Sequence, residues 1–345
     1  MATRKRVLLI FGGDSSEHDV SVASARNVRA AIDESQYDVS LCFIDKAGAW
    51  WLVSRIGKGG RRERVTIMPG RPVLVTEAGV ELAIDVIFPT LHGRGGEDGA
   101  IQGVAQTMRV PIVGSGAVAS AIGWDKHATK KIASAHGIRV VPHVTHHEHD
   151  DEPDFVVLSG MLGESLFVKP TQSGSSVGVS KAAAQHELAA ALAEAHKHHK
   201  VALVEQEIKG RELEVAVLGR HPHHQVSGVG EVVIGETFYS YAEKYGSESM
   251  AKVVIPADIS EAWKSRIQDT ARRIYELLQC EGLARVDFFL GDDGTLYFNE
   301  INTLPGFTDI SMYPKLWQQE GIGYEALVGL LLADALENAT MVSET

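Results

Sequence analysis

The sequence predicts an α/β fold that opens on a parallel sheet and closes on a hairpin. Three observations predict it. Short apolar runs alternate with helix-period segments over roughly the first 115 residues. Two Gly-rich loops, 12–18 and 91–99, follow directly on such runs, at the strand ends where open α/β sheets gather ligand groups. Near the end of the chain, two alternating runs flank Gly291-Asp292-Asp293-Gly294, a hairpin signal.

Taken in order, residues 7–11 form a buried strand, 20–31 a helix and 39–44 a second strand. Residues 86–89 form a further strand that runs into the loop 91–99. The stretch 58–64, rich in Gly and Arg, is expected to be an exposed loop. A helix follows Trp124-Asp125-Lys126 and stops at His136-Gly137, and the polar residues 143–154 are expected to form a surface loop. Residues 166–170 are a strand, 172–176 a turn and 177–180 a return strand. A helix over 187–199 and a strand over 201–207 come next, then a strand over 212–218. Ser260 caps a helix whose Trp263, Ile267, Ile274, Leu277 and Leu278 share one face, with Gly282 beyond its end. A last helix covers 324–337, and no internal repeat is present.

Composition bounds the function. With 345 residues, 44% hydrophobic and 23% charged, the chain suits a folded protein of two or three domains rather than a disordered one. A net charge of −12 argues against a duplex nucleic-acid binder. No apolar run approaches the roughly 20 residues that span a bilayer. The basic start, Met1-Ala2-Thr3-Arg4-Lys5-Arg6, precedes an apolar run too short for a signal peptide. Two cysteines, Cys42 and Cys280, cannot staple a chain of this length, and a reduced cytoplasmic setting is expected.

The hairpin carries the first chemistry. An Asp293-Gly294 turn places Asp287 opposite Glu300 and Arg285 opposite Asn302, all on one face. Like charges directly opposite destabilise a sheet, so the carboxylates need a counter-charge. Arg285 supplies one in a purely structural reading. A divalent cation supplies one in a functional reading, and carboxylate and amide oxygens suit Mg²⁺. The Gly/Pro turn Asn302-Thr303-Leu304-Pro305-Gly306-Phe307-Thr308 follows at once.

With that turn the sequence resembles the ATP-grasp enzymes, and within them the D-alanine–D-alanine ligase family. The likeness runs along nearly the whole chain. It includes Gly12-Gly13 with Ser16-Glu17-His18-Asp19-Val20-Ser21, and Leu91-His92-Gly93-Arg94-Gly95-Gly96-Glu97-Asp98-Gly99. It continues in Lys169-Pro170 with Gly174-Ser175-Ser176-Val177-Gly178, in Glu205 through Glu212, and in Arg285-x-Asp287, Glu300-x-Asn302 and Pro305-Gly306. The Gly174-Ser175-Ser176 turn can aim backbone N–H groups at phosphates, although it matches neither a P-loop nor a dinucleotide fingerprint. Gly12-Gly13-Asp14 likewise lacks the spacing of a Rossmann oxidoreductase.

The resemblance implies three domains: 1–120 Rossmann-like, preceding the ATP-grasp part, with 121–210 and 211–345 forming the α+β ATP-grasp pair. It implies ATP as a substrate, Mg²⁺ (or Mn²⁺) as cofactor and a homodimer. Lys126, Lys169, Ser176, Glu205, Gln206, Ile208 and Glu212 are then expected at ATP, with Lys126 and Lys169 on phosphates and Glu212 on the ribose. Gln206 departs from the family's usual lysine. Asp287, Glu300 and Asn302 would hold the metal. Glu17 would meet the first D-alanine's ammonium and His92 its carboxylate. Ser175 would join Glu17 to Tyr245, while Lys244 and Ser311 hold the second carboxylate. Arg285 and the Gly306 N–H would stabilise the oxyanion, and residues 235–250 would close over the site. Relatives with a tyrosine at position 245 use D-alanine second, and D-lactate users carry a histidine. Rival readings are a D-lactate or D-serine ligase, another ATP-grasp enzyme such as a carboxylase, and a non-catalytic nucleotide-binding module. The His-rich stretches 146–149, 196–199 and 221–224 lack a zinc-site pattern and are expected to be solvated surface.

Overall fold

The computed structural model describes residues 4–233 and 252–343. Its first sheet holds β1 (Lys5–Gly12), β2 (Tyr37–Ile44), β3 (Trp50–Val53), β4 (Arg62–Ile67), β5 (Val73–Thr76), β6 (Glu81–Ala83) and β7 (Val86–Pro89). The order is β6-β5-β4-β3-β2-β1-β7. β1 runs parallel to β2 and β7, as the apolar runs predict, and α1 (His18–Ala31) crosses between β1 and β2. Antiparallel strands β3 to β6 extend this parallel core through a stretch that the sequence pattern leaves unassigned. Their three to six residues are too few to display a period. Arg62, expected in a loop, starts β4 and stacks over Trp51 at 3.8 Å.

β1 is apolar without alternation because both of its faces are covered. Val7, Leu9 and Phe11 enter a core shared with Tyr313, Trp317 and Leu331 from the C-terminal helices. Leu8 and Ile10 enter a second core with Ile101 and Met108 of α2 (Ala100–Met108). The two ends of the chain therefore share one core.

The second sheet has the order β10-β9-β11-β8, from β8 (His143–His147), β9 (Leu166–Pro170), β10 (Ser180–Ala182) and β11 (Val201–Gln206). β8 corrects the surface loop expected at 143–154. It pairs antiparallel with β11, Val201 to Glu205, as the edge strand. Edge strands tolerate polar residues, so His-Val-Thr-His-His gave no strand signal. The return strand starts only at Ser180, because Ser175 and Ser176 turn the chain at φ 52° and 60°.

The third sheet has the order β14-β13-β12-β15-β16, from β12 (Gly210–Leu218), β13 (Gln225–Val233), β14 (Lys252–Val254), β15 (Leu283–Gly291) and β16 (Leu296–Asn302). Asp287 does pair with Glu300, and Arg285 with Asn302. The expected two-residue turn is absent, however: Gly291 N–H donates to Thr295 O at 2.9 Å, and Leu290 pairs with Leu296. A bulge between Phe288 and Asp287 inserts Asn299 opposite neither and restores the register. The helix Glu261–Leu277 begins at Ser260, whose hydroxyl accepts from the Trp263 N–H, and it buries Ile267, Ala271, Ile274 and Tyr275. Cys42 and Cys280 are free, and burial pushes both thiols up to about 12. Among the described residues no helix is long and apolar enough to cross a membrane.

Candidate active site

Backbone features deliver the site. The loop after β1 places Glu17 at the head of α1, where its side chain makes no cap hydrogen bond. Its carboxylate accepts instead from the Ser175 hydroxyl, joining the first sheet to the turn after β9. A Cβ on Gly174 would lie 2.7 Å from Glu17 Oε2, and one on Gly93 2.8 Å away. Glycine at both positions lets two loops close on one carboxylate.

His92 is buried and ties the 91–99 loop to the loop after β16. Its Nδ1–H donates to Leu304 O at 3.2 Å, leaving Nε2 to accept from Ser24 Oγ at 3.0 Å. Ser24 Oγ in turn accepts from the Phe307 N–H at 3.2 Å. Burial lowers the His92 pKa, although Glu17 acts the other way, so the ring is neutral as this network requires. Glu97, beside it, carries no role in the sequence reading beyond its place in the 91–99 loop. Burial first, and the Glu17 charge second, raise its carboxyl to about 8.

Asp125 caps the helix Lys126–Ala135 by accepting from the N–H groups of His127 and Ala128. That fixes Lys126 in the first turn. Its Nζ donates to Ser173 O at 2.6 Å and meets Glu300 Oε2 at 3.0 Å. One turn on, fully buried Lys130 meets Glu205 Oε1 at 3.1 Å. Lys169 meets Glu205 Oε2 at 2.7 Å and donates to Asn299 Oδ1 at 3.2 Å. Burial would raise the Glu205 carboxyl, but the two lysines bring it down to about 2. Burial, together with Lys169, brings Lys130 down to about 8 against the pull of Glu205. Lys130 escaped the sequence reading, although its i, i+4 spacing from Lys126 marks the same helix face. Asn299 escaped because only the bulge turns it toward Lys169.

Glu214 was also missed. It pairs across to Asp287, which pairs across to Glu300, so three carboxylates form a row over β12, β15 and β16. Arg285 answers them: Nε and Nη2 bind Asp287 at 2.8 and 2.7 Å, and Nε lies 3.0 Å from Glu214. Burial opposes the guanidinium charge, yet Asp287 and Glu214 hold its pKa well above the ordinary value. Asn302 Oδ1 accepts from the Leu304 N–H at 3.0 Å, and Ser311 Oγ accepts from the Thr308 N–H at 3.0 Å.

Glu17, His92, Lys126, Ser175, Arg285, Glu300, Asn302 and Gly306 line one cavity of about 80 Å³, with Glu97 and Trp124 beside them. Asp287 lies behind Arg285, almost fully buried. Lys169, Ser176, Glu205, Gln206, Ile208, Glu212 and Ser311 lie outside that lining. Gln206 and Ile208 are half-buried at and just past the end of β11, and Glu212 is half-buried on β12. Lys244 and Tyr245, and the expected closing segment 235–250, fall outside the described residues.

Two family models match the chain. A model described as "D-ala D-ala ligase N-terminus" matches residues 6–115, and one described as "D-ala D-ala ligase C-terminus" matches 132–333. The chain belongs to the D-alanine–D-alanine ligase family. A D-alanine–D-alanine ligase of Shouchella clausii (strain KSM-K16) is 42% identical over 97% of this chain and 95% of that relative. The solved D-alanine-D-alanine ligase of Coxiella burnetii superposes with a TM-score of 0.86 at 31% identity, covering 99% of this chain and 98% of that one. A D-Ala:D-Ser ligase of Enterococcus faecalis superposes with a TM-score of 0.87 at 32% identity, covering 96% and 99%.

The pair Glu17 and Glu97 makes a prediction about stability. An ordinary glutamate sits near 4.5, whereas Glu97 in the fold is raised to about 8. The folded state therefore holds a proton that the unfolded state releases between those values. This contribution to stability is full below about pH 4.5 and is lost as pH rises toward 8. Glu97→Gln stays neutral throughout. Urea midpoints should coincide most closely in acid and diverge in favour of the variant up to pH 8. The limiting slope of the difference is about 1.4 kcal/mol per pH unit. Parallel profiles would exclude a protonated Glu97.

Proposed function

We propose that this chain joins two D-alanines to D-alanyl-D-alanine with ATP, through an acyl phosphate, in the cytoplasm. The observation that carries the reading is the convergence of Glu17, Ser175, Arg285, Glu300, Asn302 and Gly306 on one cavity. The relatives' near full-length similarity supports it.

In this reading Glu17, oriented by Ser175, receives the first ammonium, and His92 acts by holding its two loops together. The first carboxylate attacks the γ-phosphate in line. Lys126, Lys169 and the N–H groups of the Ser175–Ser176 turn bind the phosphates, while Glu212 meets the ribose and Glu205, Gln206 and Ile208 flank the nucleotide. The second amine then attacks the acyl phosphate, and Arg285 with the Gly306 N–H stabilises the tetrahedral oxyanion. Ser311 and Lys244 hold the second carboxylate, and Tyr245 hydrogen-bonds Ser175. The donor set Asp287, Glu300 and Asn302 fits Mg²⁺: it is all oxygen, carries two adjacent carboxylates, and carboxylates bound by Arg285 or Lys126 retain further acceptor sites. When bound, Mg²⁺ would supply charge neutralisation at the phosphates.

The likeness to a D-Ala:D-Ser ligase keeps D-serine as a second reading for the second substrate. Phosphate release with D-alanine alone, with products separated by mass, decides between them. D-Ala–D-Ala should dominate in mixtures with D-serine or D-lactate. Tyr245→His should weaken dipeptide synthesis several-fold and let the D-lactate ester appear, most at acidic pH, because a protonated imidazole repels an ammonium. Dominant serine or lactate product from the unaltered chain would overturn the substrate assignment but not the acyl-phosphate chemistry.

A further inference from the structure

The stretch 221–224, expected to be solvated, is only partly so. His221 is open to solvent, but the side chain of His224 is 2% exposed, and neither of its ring nitrogens makes a hydrogen bond. An imidazole buried without partners is costly unless something else engages it. The ring packs tilted against that of Tyr275, with centroids 5.3 Å apart and planes at 30°. Its Nε2 faces the Glu276 carboxylate at 3.5 Å, and His221 Nδ1 lies 3.6 Å from the same oxygen. We propose that His221, His224 and Glu276 form a binding site for a divalent transition-metal cation of the zinc class, outside the reaction centre.

Geometry supports the assignment. One ligand atom from each residue lies within 4.8 Å of the others. Bonds of about 2.0–2.2 Å at a tetrahedral zinc put neighbouring ligand atoms roughly 3.3–3.5 Å apart. Both His–Glu separations are close to that value, and the two imidazoles, whose ligand atoms lie within 4.8 Å, need only draw together to complete it. Two imidazoles and one carboxylate select a transition metal over Mg²⁺ or Ca²⁺, which prefer oxygen. His221 and Glu276 are both exposed, which leaves room for water as a fourth ligand.

The ligands are also held in place. Residues 219–224 join β12 to β13 and lie against the end of the helix Glu261–Leu277. The Tyr275 hydroxyl donates to Gly219 O at 2.7 Å, and the His223 N–H donates to Arg220 O at 2.7 Å. Arg220 is in turn paired with Glu281 and Asp334. None of the three residues lines the active-site cavity, so metal bound here would clip the β12–β13 loop to the helix.

The test is a Co²⁺ titration of the full-length chain after chelator treatment and without nucleotide. One equivalent should bind with the intense visible absorbance of tetrahedral cobalt and be displaced by Zn²⁺. His221→Ala and Glu276→Gln change exposed side chains and should leave the metal-free thermal midpoint and the D-alanine-dependent phosphate release unchanged. Each should weaken Co²⁺ binding by about tenfold or more and abolish the rise in thermal midpoint that Co²⁺ gives the unaltered chain. His146→Ala, in the His-rich stretch 146–149, should change neither. Failure of the unaltered chain to take up Co²⁺, or uptake that survives both substitutions, would overturn the proposal. Either result leaves the ligase reading untouched.

Discussion

Arg285→Ala is expected to lower kcat by at least about a hundredfold, the usual cost of an oxyanion donor, with a smaller change in ATP affinity. It is also expected to destabilise the fold, because it strips the counter-charge from the row Glu214, Asp287 and Glu300. Removing one partner of a buried ion pair costs about 3–5 kcal/mol. The two effects must be separated, since an unfolded enzyme is also inactive. Arg285→Lys does so. It keeps the charge and loses the planar fork that binds Asp287 through two nitrogens. The lysine variant should recover most of the thermal midpoint but little of kcat. Recovery of both would reduce Arg285 to a counter-ion. A change in ATP affinity with kcat intact would move it to the phosphates.

That row also shows where sequence reading reaches its limit. The pairs Asp287–Glu300 and Arg285–Asn302 were legible because alternation fixes the face and the Gly-Asp-Asp-Gly turn fixes the register to within a residue or two. The bulge at Asn299 was not legible, since no local signal reports an inserted residue. It is nevertheless what restores those pairs and brings Asn299 to Lys169. Glu214 was hidden for a different reason: its partner on β15 is 73 positions away in sequence, and only the pairing of β12 with β15 joins them. Helical period exposed the buried face of the helix Glu261–Leu277, where Ile267 and Ile274 are indeed buried. Lys126 was legible only through the family resemblance, and Lys130, four residues on along the same helix, was not legible at all. The edge strand β8 and the short strands β3 to β6 lie where polar residues are tolerated and lengths are small, so propensity is weak there. The burial of His224 was hidden because composition shows only three histidines and a proline, while the fold packs one of those histidines against Tyr275.

Glu300→Gln is expected to act with the opposite sign on stability and the same sign on turnover. Glu300 sits directly opposite Asp287 and 3.0 Å from Lys126 Nζ. The amide keeps the shape and removes one of three adjacent negative charges. The like-charge repulsion across β15 and β16 therefore falls, offset in part by the loss of the ion pair with Lys126. The thermal midpoint should stay level or rise. Turnover should nevertheless be abolished and Mg²⁺-nucleotide binding weakened, because a neutral amide is a poorer ligand for a hard cation than a carboxylate. Isothermal titration with nucleotide at several Mg²⁺ concentrations, run beside the thermal melt, reads both arms. A stable variant with near-normal activity at ordinary Mg²⁺ would show that the hairpin is not the metal site. A stable, inactive variant whose nucleotide affinity keeps its Mg²⁺ dependence would instead assign Glu300 to holding Lys126 against the phosphates. The melt separates both outcomes from simple unfolding, since the charge row predicts that this substitution, unlike Arg285→Ala, does not weaken the fold.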